Sequence, residues 1–285
     1  VRNAGVGNGR RLLSLCWNLD FYLLWRVEPA QRPLAWLAIS GVLERLLCSQ
    51  VACLGENVAF LESIARQRRE FPPQSTSGYA AAEELQRPIT HYHMLEANYA
   101  EAVGIVKADR VAALQMLPPE VRRAFSGSGV ALDDAPDGAG LLAKVRLARQ
   151  DLAGQTEELI ARGAGEGGRN SLASHMLLVY MEIDDALRTS EICARASLEQ
   201  LLMNKNLPLK YKEVADAAVK NIITLYMDYI LESFDIKIRA LKGVDNEYRA
   251  RGEDGGYYIL RQLAIYKRTY SLVEELRQLI AGNKS

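Results

Sequence analysis

Cysteine, histidine and net charge are the scarce quantities in this sequence. Its four cysteines, Cys16, Cys48, Cys53 and Cys193, are scattered over 285 residues without the close, repeated spacing of a disulfide framework or zinc knuckle. A reducing, cytoplasmic setting is therefore expected. Lys+Arg and Asp+Glu are both 35, so no global field draws nucleic acid or anionic lipid over long range. Strand-type alternation of apolar and polar residues is almost absent. Gly-x-Ser-x-Gly, Walker-type Gly-Lys-Ser/Thr and Cys-x-x-Cys-His strings do not occur. Ser126-Gly127-Ser128-Gly129 and Gly5-x-Gly7-x-Gly9 lack the preceding strand that a nucleophile elbow or phosphate loop requires.

What the chain does have is hydrophobic residues, 49%, at helical spacing nearly throughout. The fold class expected is all-α, a multi-helix bundle. A first helix is read over 11–27, ended by Pro29 and Pro33, and a second runs from Pro33 to about Arg69. Arg10-Arg11 followed by Leu12-Leu13 resembles the start of a signal peptide, but Asn18 and Asp20 interrupt the apolar run, so secretion is not expected. The stretch 34–54 approaches membrane length, yet Glu44 and Arg45 sit at its middle, which favours a buried helix.

Helices over 79–86 and 89–106 flank Pro88, where a kink or break is expected, and short pieces flank Pro118-Pro119. Residues 126–138, rich in Gly, Ser, Asp and Pro, read as a linker. They divide an N-terminal helical subdomain (1–125) from a C-terminal long-helix bundle (139–285). The latter holds helices at 141–160, from Asn170 or Ser171 to about Met203, over 209–242 with Gly243 as C-terminal cap, and over 257–281.

The most chemical-looking string is Glu182-Ile183-Asp184-Asp185-Ala186-Leu187-Arg188-Thr189-Ser190-Glu191, in which the aspartate pair is similar to the magnesium-binding carboxylates of class I isoprenoid synthases. At about 100° per residue, Met176, Val179, Ile183, Leu187 and Ala194 gather on one face and Asp184 and Asp185 fall opposite. Arg188, Glu191, Arg195 and Glu199 share that second side at spacings of three and four, so a solvated ion-pair ladder is expected rather than a diphosphate site.

His91 and His93 point about 200° apart on a helix and cannot share one ion, Glu-x-x-His is absent, and His175 stands alone. No metal, haem or other cofactor is expected.

Apolar surface rises further above background. On the 209–242 helix Ile222, Ile223, Leu225, Tyr226, Met227, Tyr229, Ile230, Leu231 and Phe234 point in nearly every direction, leaving a narrow stripe with Asn221, Thr224, Asp228, Glu232, Asp235 and Arg239. The second helix likewise carries Leu34, Leu37 and Val42 away from its main apolar side. Eight of the thirteen tyrosines lie in the last third of the chain.

The reading is a non-enzymatic helical interaction, scaffold or regulatory protein whose partner is another protein or a second copy of itself, with membrane and nucleic acid disfavoured. Its candidate partner-binding residues are Tyr226, Asp228, Tyr229, Glu232, Tyr257, Tyr258, Tyr266 and Tyr270. The alternatives are a helical enzyme or carrier with an apolar inter-helix cavity, similar to a class I isoprenoid synthase or binding a metal or haem, or a weak nucleic-acid binder through Tyr266-Lys267-Arg268-Thr269-Tyr270.

Overall fold

Seven α-helices are present among the described residues, which in this computed structural model are 27–70, 77–126, 136–165, 171–203, 207–252 and 256–282. The expected helix at 11–27 lies outside them. A 3₁₀ turn, Pro29–Gln31, leads into α1 (Arg32–Glu70), followed by α2 (Ser77–Gln115), α3 (Pro119–Ser126), α4 (Pro136–Gly165), α5 (Ser171–Met203), α6 (Leu209–Ala250) and α7 (Tyr257–Ala281). The chain is all-α, a multi-helix bundle.

Two punctuation signals act differently from expectation. Pro88 does not divide its segment: α2 continues through it, with the ring buried on the helix's core face beside Leu85, Ile89 and Tyr92. Packing along that face outweighs the single backbone hydrogen bond a proline forfeits. Gly243 does not cap α6 either, because glycine also tolerates right-handed helical angles; the helix runs on to Ala250 and the positive φ of 73° belongs to Gly252. Gly282, at φ 75°, ends α7 in the left-handed conformation expected of a C-terminal glycine.

Side-chain pairs set the directions. Glu44 reaches Lys107 and Arg110 while Glu62 lies by His93, so α1 and α2 are antiparallel. Arg146 with Glu191 and Arg149 with Asp184 make α4 antiparallel to α5. Glu182 with Lys237 and Thr189 with Tyr226 do the same for α5 and α6, and Asp228 with Arg277 and Lys237 with Tyr266 for α6 and α7.

α5 is the middle member, packed against α1, α4, α6 and α7. From Met176 to Ser197 none of its side chains is fully exposed. One apolar core runs from Ala35 to Ile280, so helices from both sides of the 126–138 stretch contribute to it.

The second apolar side of α1 finds cover within the chain. Leu34 and Leu37 pack with Leu117, Val121 of α3 and Leu207 ahead of α6. The stretch Pro29–Arg66 is long and apolar enough by composition to cross a membrane, with mean hydropathy 1.5, but 61% of its most apolar window is buried in the bundle. At its middle Glu44 bonds Arg110 at 3.0 Å.

On α6, Ile222, Ile223, Tyr226, Met227, Ile230 and Phe234 are all buried. Phe234 is fully enclosed and meets Tyr266 edge-on at 5.4 Å between centroids. Phe234→Ala would remove both the buried area and that ring contact, and is expected to lower unfolding stability by about 3–5 kcal/mol in a denaturant titration at unchanged helix content.

Candidate functional site

The polar side chains of α5 form a spine through the bundle. The sequence places Asp184, Asp185, Arg188, Glu191 and Arg195 on a solvated face; the structure overturns this. α1 and α4 cover that side, Asp185 is 5% exposed and Glu191 7%. The Glu199 side chain lies outside the described residues. The carboxylates are nevertheless not gathered for magnesium, because each faces a donor of its own.

Three groups of contacts make up the spine. Towards α4, Arg149 Nε donates to Asp184 Oδ1 at 2.8 Å, Arg149 Nη1 to Glu191 Oε2 at 3.4 Å, and Arg146 Nε to Glu191 Oε1 at 3.1 Å. Arg195, one turn on, donates to Glu191 at 2.7 Å. Towards α1, Arg188 Nη2 donates to Glu56 Oε2 at 2.7 Å, and Gln50 Nε2 donates to Asp185 Oδ1 at 2.5 Å and to Thr189 Oγ1 at 3.2 Å. Towards α6 and α7, the buried Glu182 is ion-paired with Lys237 and accepts from the Tyr266 hydroxyl at 2.9 Å.

The electrostatics follow from this placement. Burial pushes the Asp185 carboxyl up from 3.8 to about 6, opposed by the hydrogen bond from Gln50 and aided by the neighbouring charge of Asp184. Desolvation raises the Cys53 and Cys193 thiols and the Tyr226 and Tyr266 phenols, so all four are neutral near pH 7. Neither cysteine has the low-pKa, accessible setting of a reactive thiol.

The expected partner-binding residues do not share one surface. Tyr226 and Tyr266 are core residues, 1% and 3% exposed, because their helix faces meet α5 rather than solvent. Asp228 is engaged inside the chain, taking Arg277 at 2.5 and 3.3 Å. Tyr229, Tyr258 and Tyr270 are half-buried; Glu232 and Tyr257 are exposed, the latter edge-on to Tyr258. Asp235 and Arg239 form the ion pair their spacing implies.

His93 is exposed between Glu62 and Glu96, each 3.6 Å away, while His91 is half-buried on another side of α2. The His175 side chain lies outside the described residues. No group of three or more His, Cys, Asp or Glu able to hold a metal occurs among the described residues. A cleft of about 40 Å³ lies between α4, α5 and α7 at the Asp151–Arg268 pair, room for a water molecule.

A surface that sequence reasoning did not single out is the outward side of α2. Met94, Ile105 and Val111, with Met116 one residue past the helix end, are 60%, 54%, 57% and 73% exposed there. Ala97, Ala100, Gly104, Ala108 and Ala112 lie exposed among them, and the charges on the same side are Glu101, Asp109 and Lys107, the last 3.7 Å from Glu44 of α1. The signal in the sequence was small: methionine, alanine and glycine read as ordinary helix filler, whereas charged residues would mark a solvated face.

Lys237→Met would leave the Glu182 carboxylate enclosed without its cation, and a loss of about 3–5 kcal/mol is expected in chemical unfolding. Adding Glu182→Met should recover most of it, since an apolar pair of similar volume needs no compensation; a double variant as unstable as the single one would contradict the pairing. Comparison of the chain with models of protein families, with curated proteins and with solved structures finds no match.

Proposed function

We infer that the chain is a non-enzymatic helical protein that acts by binding another protein or a second copy of itself, and that the outward side of α2 is its contact surface. The observation that carries this reading is the run of four large apolar side chains, each more than half exposed, over 94–116. Single exposed apolar residues are ordinary on a soluble protein; several on one outward arc, with Met94 and Ile105 along one edge and Val111 about 120° round the helix from Ile105 at the other, have the composition of a contact surface. The small residues between them allow another helix to approach closely. Covering the four side chains would contribute roughly 4 kcal/mol before the costs of association.

The chemistry of the surface favours one kind of partner. An apolar helix carrying lysine or arginine opposite Glu101 and Asp109 would complement those acids, Lys107 being engaged with Glu44. Tyr229, Glu232, Tyr257, Tyr258 and Tyr270, on the α6–α7 side, are outside this surface and serve the reading only as a further polar-aromatic edge.

Ile105→Lys combined with Val111→Lys tests the proposal. A photoreactive residue at position 108 should give a discrete cross-linked adduct, either a dimer of the purified chain or a complex in the producing cells. The double variant should abolish that adduct and keep its melting temperature within about 3 °C of the parent, because both side chains are exposed. No adduct from either source, or one that survives the lysines, would defeat the reading.

A further inference from the structure

Asp185 differs from the other acids of the α5 spine. Glu182, Asp184 and Glu191 each pair with a lysine or arginine, but the hydrogen bonds that Asp185 receives among the described residues come from neutral groups, the Gln50 amide and the Cys53 thiol. Tyr92 faces it from α2 and Tyr226 from α6. On its own helix lie Asp184 and Arg188, and the guanidinium of Arg188 is turned to Glu56 and Asp184. A carboxyl enclosed by α1, α2 and α6 thus sits where the α1–α2 pair meets α5, with no cation among the described residues in direct contact.

We propose that Asp185 is a proton-operated latch on the seam between the α1–α2 pair and α5: the neutral acid holds the seam closed, and loss of its proton loosens it. The neutral form still accepts from Gln50 and gains an O–H donor in a cluster where the Thr189 and Tyr226 hydroxyls can accept. The ionised form is a charge held in the interior by neutral donors alone, and it favours any opening that admits water.

The neighbours leave Asp185 as the group that responds. Burial holds the Cys53 thiol neutral, pushes Tyr92 up to about 12 and raises Tyr226 well above its ordinary value. Burial works against the charge of Arg188, but its bonds to Glu56 and the nearby charge of Asp184 together outweigh this and it remains a cation. The Asp185 carboxyl itself stands at about 6 against 3.8 when solvated, so the folded chain binds this proton more tightly than the unfolded chain. Its stabilising effect is complete below about pH 3.8 and is lost as pH rises through about 6.

Hydrogen exchange of the full chain at pH 5 and pH 7.5, corrected for intrinsic rates, reads the seam at residues 46–58 of α1. Protection there is expected to fall about tenfold between the two pH values in the parent and to stay level in Asp185→Asn, which keeps an acceptor for Gln50. Other titrating groups act alike in both proteins. An equal fall in the variant would overturn the latch. Should the variant not fold, carbon-13 labelling of the aspartate carboxyls in the parent decides: a titration midpoint near 6 at Asp185 is expected, and one below about 4.5 would overturn the proposal.

Discussion

Ionised side chains inside a bundle lose several kcal/mol of hydration each, and α5 carries Glu182, Asp184, Asp185, Arg188, Glu191 and Arg195 while enclosed by four neighbouring helices. The arrangement of those neighbours answers to that constraint. α4 supplies Arg146 and Arg149, α1 supplies Gln50 and Glu56, α6 supplies Lys237 and α7 supplies Tyr266. The apolar core gives the free energy of collapse, but apolar packing alone tolerates several alignments. The polar contacts are directional, so they discriminate among them.

The consequence is register. Sliding α5 by one turn, about 5.4 Å, would carry Glu182 away from Lys237 and Asp185 away from Gln50 together. Both carboxylates would then be enclosed without partners, at a cost of several kcal/mol. Because the α6–α7 and α4–α7 contacts also include ion pairs, Asp228 with Arg277 and Asp151 with Arg268, a shift of one helix disturbs more than one neighbour. The bundle is aligned by charge and filled by hydrocarbon.

Helical periodicity was enough to read the fold class and the extents of α1, α5 and α7 to within a few residues, because those helices begin and end at strong breakers. Pro88 and Gly243 misled for a shared reason: each is a local preference, worth one hydrogen bond or a fraction of backbone entropy, set against a long row of packed neighbours. The α5 spine was hidden for a different one. A helical wheel sorts residues onto two sides and assigns the polar side to solvent, but a helix in the middle of a bundle has no solvent side. Nothing within 171–203 announces that Arg149 lies opposite Asp184, since the partner is 35 residues away in the chain and the pairing exists only after folding. The tyrosines of α6 and α7 show the converse error, for richness in a residue suited to interfaces says little about direction, and Tyr226 and Tyr266 turn inward.

The bond between Gln50 and Asp185 spans 135 positions of the chain. At a synthesis rate of about 5–20 residues per second, α1 emerges with its greasy flank bare and waits roughly 7–27 s before the helix that will shield it has even been made. α2 arrives within the next few dozen residues and covers one side of it, and α3 follows at once with Val121 against Leu34 and Leu37. Birth of this protein therefore includes an interval in which a fragment of its first helices must avoid sticking elsewhere, and Glu44, Lys107 and Arg110 are among the groups that keep that fragment wet and together until its permanent neighbours appear.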